Sequence, residues 1–326
     1  MLFSEFFQKW LYESYYKNGV FVGKRGDFYT AVSVGELFGS LLAKHFLSLI
    51  DKQILTPPLQ VVEIGTNEGY LSRDFLSALV QFRPSIFEKL EFHIIEPHEK
   101  LQILQKQTLK GVEFTHHHSF KETHFQNAFI FCNELFDSFA CDLIDNDKIA
   151  FIEDFKFIFK PLSPALKKQC ELLNLQKGEF SFYLSNFFED LNAACDSFIF
   201  AGFDYGEFLP QRFSLRIYQN HQLFDPFEVD LRAFFGKSDL TYNVNFTHLQ
   251  YLIEKYHFKL LSLEKQSKAL LEFGLESIIE QSENKEKLLS QAKYLFFNFD
   301  AKFHFFEFQK APYNTPHKHP LSSLHR

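Results

Sequence analysis

The sequence predicts an α/β protein. It should have a doubly wound parallel sheet with helices on its faces, an N-terminal helical segment before it, and an inserted α+β subdomain within it. Three observations carry this. From residue 59 to 136, apolar runs of strand length alternate with segments of helical spacing, as in βαβ units. After Cys141 that rhythm gives way to period-two runs split by "DND" and "ED", which suggests an antiparallel hairpin or meander. From about residue 186 the helix-then-strand order returns.

Each element has its own reason. Residues 1–17 place apolar side chains at helical spacing among charges, and "VGKRGDFYTAV" reads as a loop. "GELFGSLLAKHFLSLIDK" is a helix that ends before Thr56-Pro57-Pro58. The strands of the first half are "LQVVEIG", "LEFHIIEP", "GVEFTHH" and "NAFIFCNELF", and its helices are Leu71 to Gln81 and Glu99 to Leu109. "SPALKKQCELLNL" reads as a short helix, "NFFEDLNAACD" as a helix and "SFIFAGFDYG" as a strand. Residues 207–245 read as irregular. Helix "FTHLQYLIEKY", strand "FKLLSLEKQ", helix "NKEKLLSQAKYLF" and strand "KFHFFEFQK" close the fold. The divisions are therefore 1–55 (helical segment and loop), 56–140 (first part of the core), 141–185 (insertion), 186–310 (second part of the core) and 311–326. That last segment, with three prolines and three histidines, is expected to be disordered.

Composition limits the function classes. A hydrophobic fraction of 46% and a charged fraction of 23% are those of a soluble globular protein. The 45 phenylalanines, beside one Trp and one Met, are expected to fill core positions. A net charge of −7 argues against a general nucleic-acid binder. Cys132, Cys141, Cys170 and Cys195 form no C-x-x-C pair and read as reduced, buried thiols. No designed metal site is expected. The N-terminus lacks the apolar core and cleavage site of a signal peptide, and no apolar run is long enough to span a membrane, so the cytoplasm is the default expectation.

Ligands of doubly wound sheets sit at the carboxyl ends of the strands, and three of those ends carry polar residues. Strand one ends in Glu63-Ile64-Gly65, with Gly69 opening the next helix, so backbone N–H groups can face a ligand. A G-x-G-x-x-G fingerprint and a P-loop are both absent. Strand two ends in Glu96, 27 positions after Gly69, where a carboxylate could accept both ribose hydroxyls of a nucleoside. A solvated strand-end carboxylate is the plain alternative. Strand four ends in Asn133-Glu134, with Asp137 close behind. Glu134 as a helix cap and Asp137 as a solvent-facing acid remain the alternatives there.

A glycine loop, an acid after strand two and a polar cluster after strand four form the pattern of a class I S-adenosylmethionine methyltransferase. The chain also resembles the MidA family, relatives of a mitochondrial complex I assembly factor that is a protein arginine methyltransferase. The resemblance rests on ordered motifs: "GDFYTAVSVGELFG" at 26–39, "VVEIGTNEGYLSRDFL" at 61–76, "IIEPHEKLQILQKQTL" at 94–109 and "CNELFDSFACDLI" at 132–144. "FDYGE" at 203–207, "SLRIYQNH" at 214–221, "DLTYNVNF" at 239–246 and "LLEFGLESII" at 270–279 follow. It implies a Rossmann-like methyltransferase core that takes S-adenosyl-L-methionine. Gly26, Asp27 and Thr30 would close over the cofactor, Glu63, Gly65 and Gly69 would form its floor, and Glu96 would hold the ribose. Asn133, Glu134 and Asp137 would be the catalytic residues near the transferable methyl. The implied substrate is an arginine of a partner protein, with a respiratory complex I subunit as the candidate.

The chain departs from the family pattern where the glycine loop, usually Gly-Pro-Gly-Arg-Gly-Thr-Leu, reads Gly65-Thr66-Asn67-Glu68-Gly69-Tyr70-Leu71. Asn67 can adopt the left-handed conformation that glycine would supply. Asp-Ala-Leu-Pro becomes Asp137-Ser138-Phe139-Ala140, and Asn243 and Asn245 stand where histidine and aspartate are common. A non-catalytic binding or assembly module and a small-molecule methyltransferase remain alternatives. A nicotinamide enzyme is disfavoured by the missing third glycine.

Overall fold

The apolar runs read as strands form one sheet whose side chains alternate between two buried faces. The computed structural model describes residues 1–18, 31–299 and 302–311. Among these residues, fifteen strands follow in chain order. β1 (Leu59–Ile64), β2 (Leu90–Ile95), β3 (Thr115–His117) and β4 (Phe125–Asn133) belong to the first half. β5 (Asp142–Asp145), β6 (Lys148–Glu153), β7 (Lys156–Pro161) and β8 (Lys177–Phe180) build the insertion. β9 (Cys195–Glu207), β10 (Arg216–Gln219), β11 (Gln222–Phe224), β12 (Asp239–Thr241), β13 (Val244–Asn245), β14 (Lys259–Lys265) and β15 (Phe303–Lys310) complete the set.

The main sheet runs β14-β15-β9-β4-β1-β2-β3, and β13 adds to β9. β1 pairs in parallel with β2 (Ile64 opposite Ile95) and with β4 (Ile64 opposite Cys132). β15 lies antiparallel to β9 and β14. The successive residues Val61 and Val62, Phe129 and Ile130, and Ile199 and Phe200 are all buried but join opposite layers. Val61, Phe129 and Ile199 meet helices Glu36–Asp51 and Tyr70–Phe82 through Phe46, Phe75 and Leu79. Val62, Ile130 and Phe200 meet helices Phe182–Ala194 and Phe246–Lys255 through Phe188, Leu191 and Leu249. Burial on both faces is why these strands read as unbroken apolar runs. Phenylalanine fills both layers as expected, with Phe75 and Phe131 at 5.1 Å between ring centroids and Phe200 and Phe308 stacked at 4.8 Å.

The insertion is a four-stranded antiparallel sheet, β7-β6-β5-β8, so the expected hairpins are present. The turn Asp154-Phe155, between the paired Glu153 and Lys156, has both residues at positive φ, the conformation of a type I′ hairpin. Residues 207–245 are not irregular. They hold a second small sheet, β11-β10-β12, with a turn at Asn220-His221, both again at positive φ. Without a glycine there, the hairpin left no strong signal in the sequence. The N-terminal helix Phe3–Trp10 docks on both small sheets rather than on the main one. Phe3, Phe6, Phe7 and Trp10 pack with Leu143, Ile152, Ile217 and Leu240. The Trp10 indole donates to the Ser238 carbonyl at 2.7 Å. Its next turn, Leu11–Tyr15, is π-helical, a widening that often marks functional sites.

Among the described residues, no helix is long and apolar enough to cross a membrane.

Candidate active site

Chain direction opens a crevice at the carboxyl ends of β1 and β4. After β1 the chain turns toward β2 and β3, whereas β4 leads to β9 on the other side, so the loops after β1 and β4 diverge. A cavity of about 870 Å³ lies there. Its lining brings together Glu63, Gly65, Glu96, Asn133 and Glu134 from the sheet ends, with Tyr12 and Tyr16 from the N-terminal segment. Asp190 and Asp239 add two further acids.

The loop after β1 has Gly65 at φ +66, Asn67 at φ +50 and Gly69 at φ +90. Asn67 thus adopts the left-handed conformation that a glycine would supply, and the loop keeps its course. Gly65 has a second constraint, since a Cβ there would stand 2.9 Å from Leu135 Cδ1. Gly69 opens helix Tyr70–Phe82, and its N–H donates to the Thr66 carbonyl at 2.9 Å.

Glu63 is 3% exposed and accepts a very short hydrogen bond from the Ser72 hydroxyl. Burial pushes its carboxyl up to about 8, against the pull of Ser72. Glu96 is 2% exposed, so it is not the solvated strand-end acid of the plain alternative. Its Oε1 accepts the His98 N–H at 3.0 Å and its Oε2 faces Gln105 Nε2 at 3.4 Å. Burial pushes Glu96 up to about 7, and the His98 and Gln105 hydrogen bonds lower it in part.

These two shifts have a pH consequence. A carboxyl raised above its unfolded value of 4.5 favours the fold below that value and loses the contribution as pH climbs through its folded pKa. Stability without ligand should therefore fall from about pH 5 to pH 8 as Glu63 and Glu96 ionise. Binding of a ligand that needs the Glu96 carboxylate should tighten over the same range. Melting temperatures and calorimetric titrations across that range check both slopes.

Asn133 closes β4, and its Nδ2 donates to Glu134 Oε1 at 3.0 Å. Glu134 has φ +51, and its N–H donates to the Phe203 carbonyl at 2.8 Å. The short helix Phe136–Ser138 has Leu135 at its N-cap and no side-chain cap bond, so Glu134 is not its cap. Asp137 is not brought to the cavity lining and does not face water. Its Oδ2 accepts from the Tyr205 hydroxyl and, at 2.7 Å, from the Thr241 hydroxyl. Asp204, with no exposed surface, accepts the N–H groups of Phe136 (2.8 Å) and Asp137 (3.3 Å), which fixes this turn against β9. Burial raises the carboxyls of both Asp137 and Asp204. Gly26, Asp27 and Thr30 lie outside the described residues.

Two contributors, Tyr12 and Gln105, were not visible in the sequence. Tyr12 lines the cavity, donates to the Ser138 carbonyl at 3.0 Å and stacks on His98 at 6.2 Å. Gln105, fully buried, bonds the Asn67 carbonyl at 2.7 Å. Asn245, where aspartate is common, still caps helix Phe246–Lys255 by accepting the Thr247 and His248 N–H groups. Asn243 accepts from Arg216 Nη1 at 2.8 Å. Among the described residues, no group of three or more His, Cys, Asp or Glu side chains is arranged to hold a metal.

The residues present fit a nucleoside carrying a cationic amino-acid tail. Glu96 suits vicinal hydroxyls, and Glu134 suits positive charge. Thr66 Oγ1, Asn67 Oδ1 and Asn133 Oδ1, on residues that line the cavity, are buried without a partner among the described residues. Such orphaned acceptors leave donors to be supplied by a ligand or water.

Comparison with known proteins agrees. A family model described as "Putative S-adenosyl-L-methionine-dependent methyltransferase" matches residues 41–263, well over half of the chain. The mitochondrial protein arginine methyltransferase NDUFAF7 of Mus musculus is 31% identical over 99 residues, 30% of this chain and 22% of that protein. Its Drosophila melanogaster homologue is 33% identical over 82 residues, 25% of this chain and 18% of that protein. The match thus spans only about a fifth of the length of these curated relatives. A Burkholderia thailandensis protein crystallised with S-adenosyl-homocysteine shares the fold, with a TM-score of 0.78 at 20% identity, covering 95% of this chain and 88% of that one. The expectation of a cytoplasmic location is corrected by the NDUFAF7 relatives, which are mitochondrial proteins by name. The chain belongs to the S-adenosyl-L-methionine-dependent methyltransferase family, MidA-like as its motifs indicated, and S-adenosyl-L-methionine is its cofactor.

Proposed function

We propose that the protein transfers a methyl group to a guanidinium nitrogen of an arginine in a partner protein. A respiratory complex I subunit is the candidate that the family resemblance implies. The observation that carries the reading is the lining of the cavity. Beside the strand-end acids it holds Glu134, Asp190, Asp239, Tyr12 and Tyr16, an acidic and aromatic surface suited to a cation that stays charged at neutral pH. The relatives' naming as protein arginine methyltransferases supports the same substrate class.

Bound S-adenosyl-L-methionine supplies the electrophilic methyl group. In this reading Glu96 takes the ribose hydroxyls, and Glu63 with the Gly65–Gly69 loop forms the floor. Asn133 and Glu134 face the acceptor. Glu134 holds the guanidinium and takes the proton that the methylated nitrogen loses. Asp137 supports the turn that presents them, through Tyr205 and Thr241. The cofactor-covering role of Gly26, Asp27 and Thr30 remains part of the proposal.

Glu96→Ala should weaken S-adenosyl-homocysteine binding by about 1–3 kcal/mol, the scale of lost charge-assisted hydrogen bonds. An unchanged calorimetric dissociation constant would move the ribose elsewhere. Substrate class is tested with methyl-labelled cofactor and cell extract. Label should appear on protein, at arginine by mass spectrometry. Label confined to small molecules would contradict the reading. Wild-type protein that fails to bind the cofactor at millimolar concentration would favour a non-catalytic module.

A further inference from the structure

Gln105 is an uncharged side chain with no exposed surface, placed on helix Glu99–Thr108 behind the cavity. Its amide touches three separate elements. Nε2 donates to the Asn67 carbonyl at 2.7 Å and faces Glu96 Oε2 at 3.4 Å. Oε1 lies 2.7 Å from His116 Nε2 on β3.

Hydrogen-bond chemistry orients this chain of contacts. A backbone carbonyl only accepts, so the amide NH₂ must face Asn67, and the same nitrogen faces Glu96. The amide oxygen then faces His116, whose ring must donate from Nε2. Burial holds the His116 pKa down to about 4, which keeps the ring neutral. Asn67 is the residue that replaces the family's middle glycine. Its left-handed backbone carries a local cost that a bond to its carbonyl offsets.

We infer that Gln105 is a positioning residue for cofactor binding: it holds the Asn67 turn and the Glu96 carboxylate in one arrangement, and His116 sets the direction of its amide. This rests on the reading that Glu96 takes the ribose. The plain alternative is that Gln105 only fills space between the helix and the sheet, where its loss would weaken every ligand equally.

The experiment titrates S-adenosyl-homocysteine and its 2′,3′-dideoxyribose analogue into the full chain by calorimetry. Wild type should prefer the parent ligand by roughly tenfold or more, the scale of hydrogen bonds to a charged group. Gln105→Leu should bind the parent about tenfold more weakly and reduce the preference to within about twofold, because Glu96 is no longer aimed. His116→Phe, on a half-buried strand position, should cut the preference by about threefold while leaving the melting temperature near wild type. Equal weakening of both ligands in Gln105→Leu, with the preference intact, would overturn the proposal. If Gln105→Leu fails to fold, an unchanged preference in His116→Phe overturns it. A wild type that does not distinguish the two ligands would remove the ribose from Glu96, and this inference would fall with that reading.

Discussion

Glu134→Gln should lower methyl transfer about a hundredfold or more while cofactor affinity stays within a few-fold of wild type. The substitution keeps shape and removes charge. Its amide can still accept from Asn133 Nδ2, now at 3.0 Å from Glu134 Oε1, so the turn should survive. What is lost is the carboxylate that would hold the guanidinium and take its proton. The separation of the two readouts is informative because Glu134 follows β4, whereas the proposed ribose acid, Glu96, follows β2. Single-turnover transfer to the unmethylated form of the partner protein that the labelling identifies, alongside calorimetry with S-adenosyl-homocysteine, measures both. Near wild-type transfer by a folded, cofactor-binding mutant would place the acceptor elsewhere.

Gly206→Ala should destabilise the protein by about 3 kcal/mol, at the upper end of what overpacking a rigid site costs. Gly206 pairs with Val244 where β13 joins β9. A Cβ there would stand 2.2 Å from the Val244 carbonyl oxygen and 2.8 Å from Phe246 Cε2. The nearer atom belongs to backbone, so no rotamer change relieves the clash. Displacing β13 would also disturb Asn243, whose Nδ2 donates to Glu207 Oε1 at 3.0 Å, and the neighbouring Thr241 that holds Asp137. Urea unfolding should show the midpoint fall. A change under about 0.5 kcal/mol would mean that β13 is not packed as described.

The main sheet was legible because its strands are buried on both faces, which leaves continuous apolar runs such as Phe129-Ile130-Phe131. The small sheet β11-β10-β12 was not legible. Its hairpin turns on Asn220-His221, and an Asn-His pair gives far less signal than Asn-Gly. Glu63 and Glu96 could be placed at the cavity from sequence because a residue at a strand's carboxyl end has a known address. Asp137 could not. Four residues past β4, its direction depends on the turn Phe136–Ser138, which points its carboxylate to Tyr205 and Thr241. Gln105 and Tyr12 were out of reach for another reason. Their roles depend on contacts across 38 and 126 residues of sequence, to Asn67 and Ser138 respectively, and their own neighbours in sequence show only helical spacing.

On the proposed reading, one cavity, between the ends of β1, β2 and β4, holds the cofactor and presents the acceptor. A crystal structure of the full chain with S-adenosyl-homocysteine would locate both. The ribose hydroxyls should lie within hydrogen-bonding distance of Glu96, the homocysteine tail over the Gly65–Gly69 loop, and the sulfur should face Asn133 and Glu134. Ligand density outside this cavity, or a ribose held by groups other than Glu96, would contradict it.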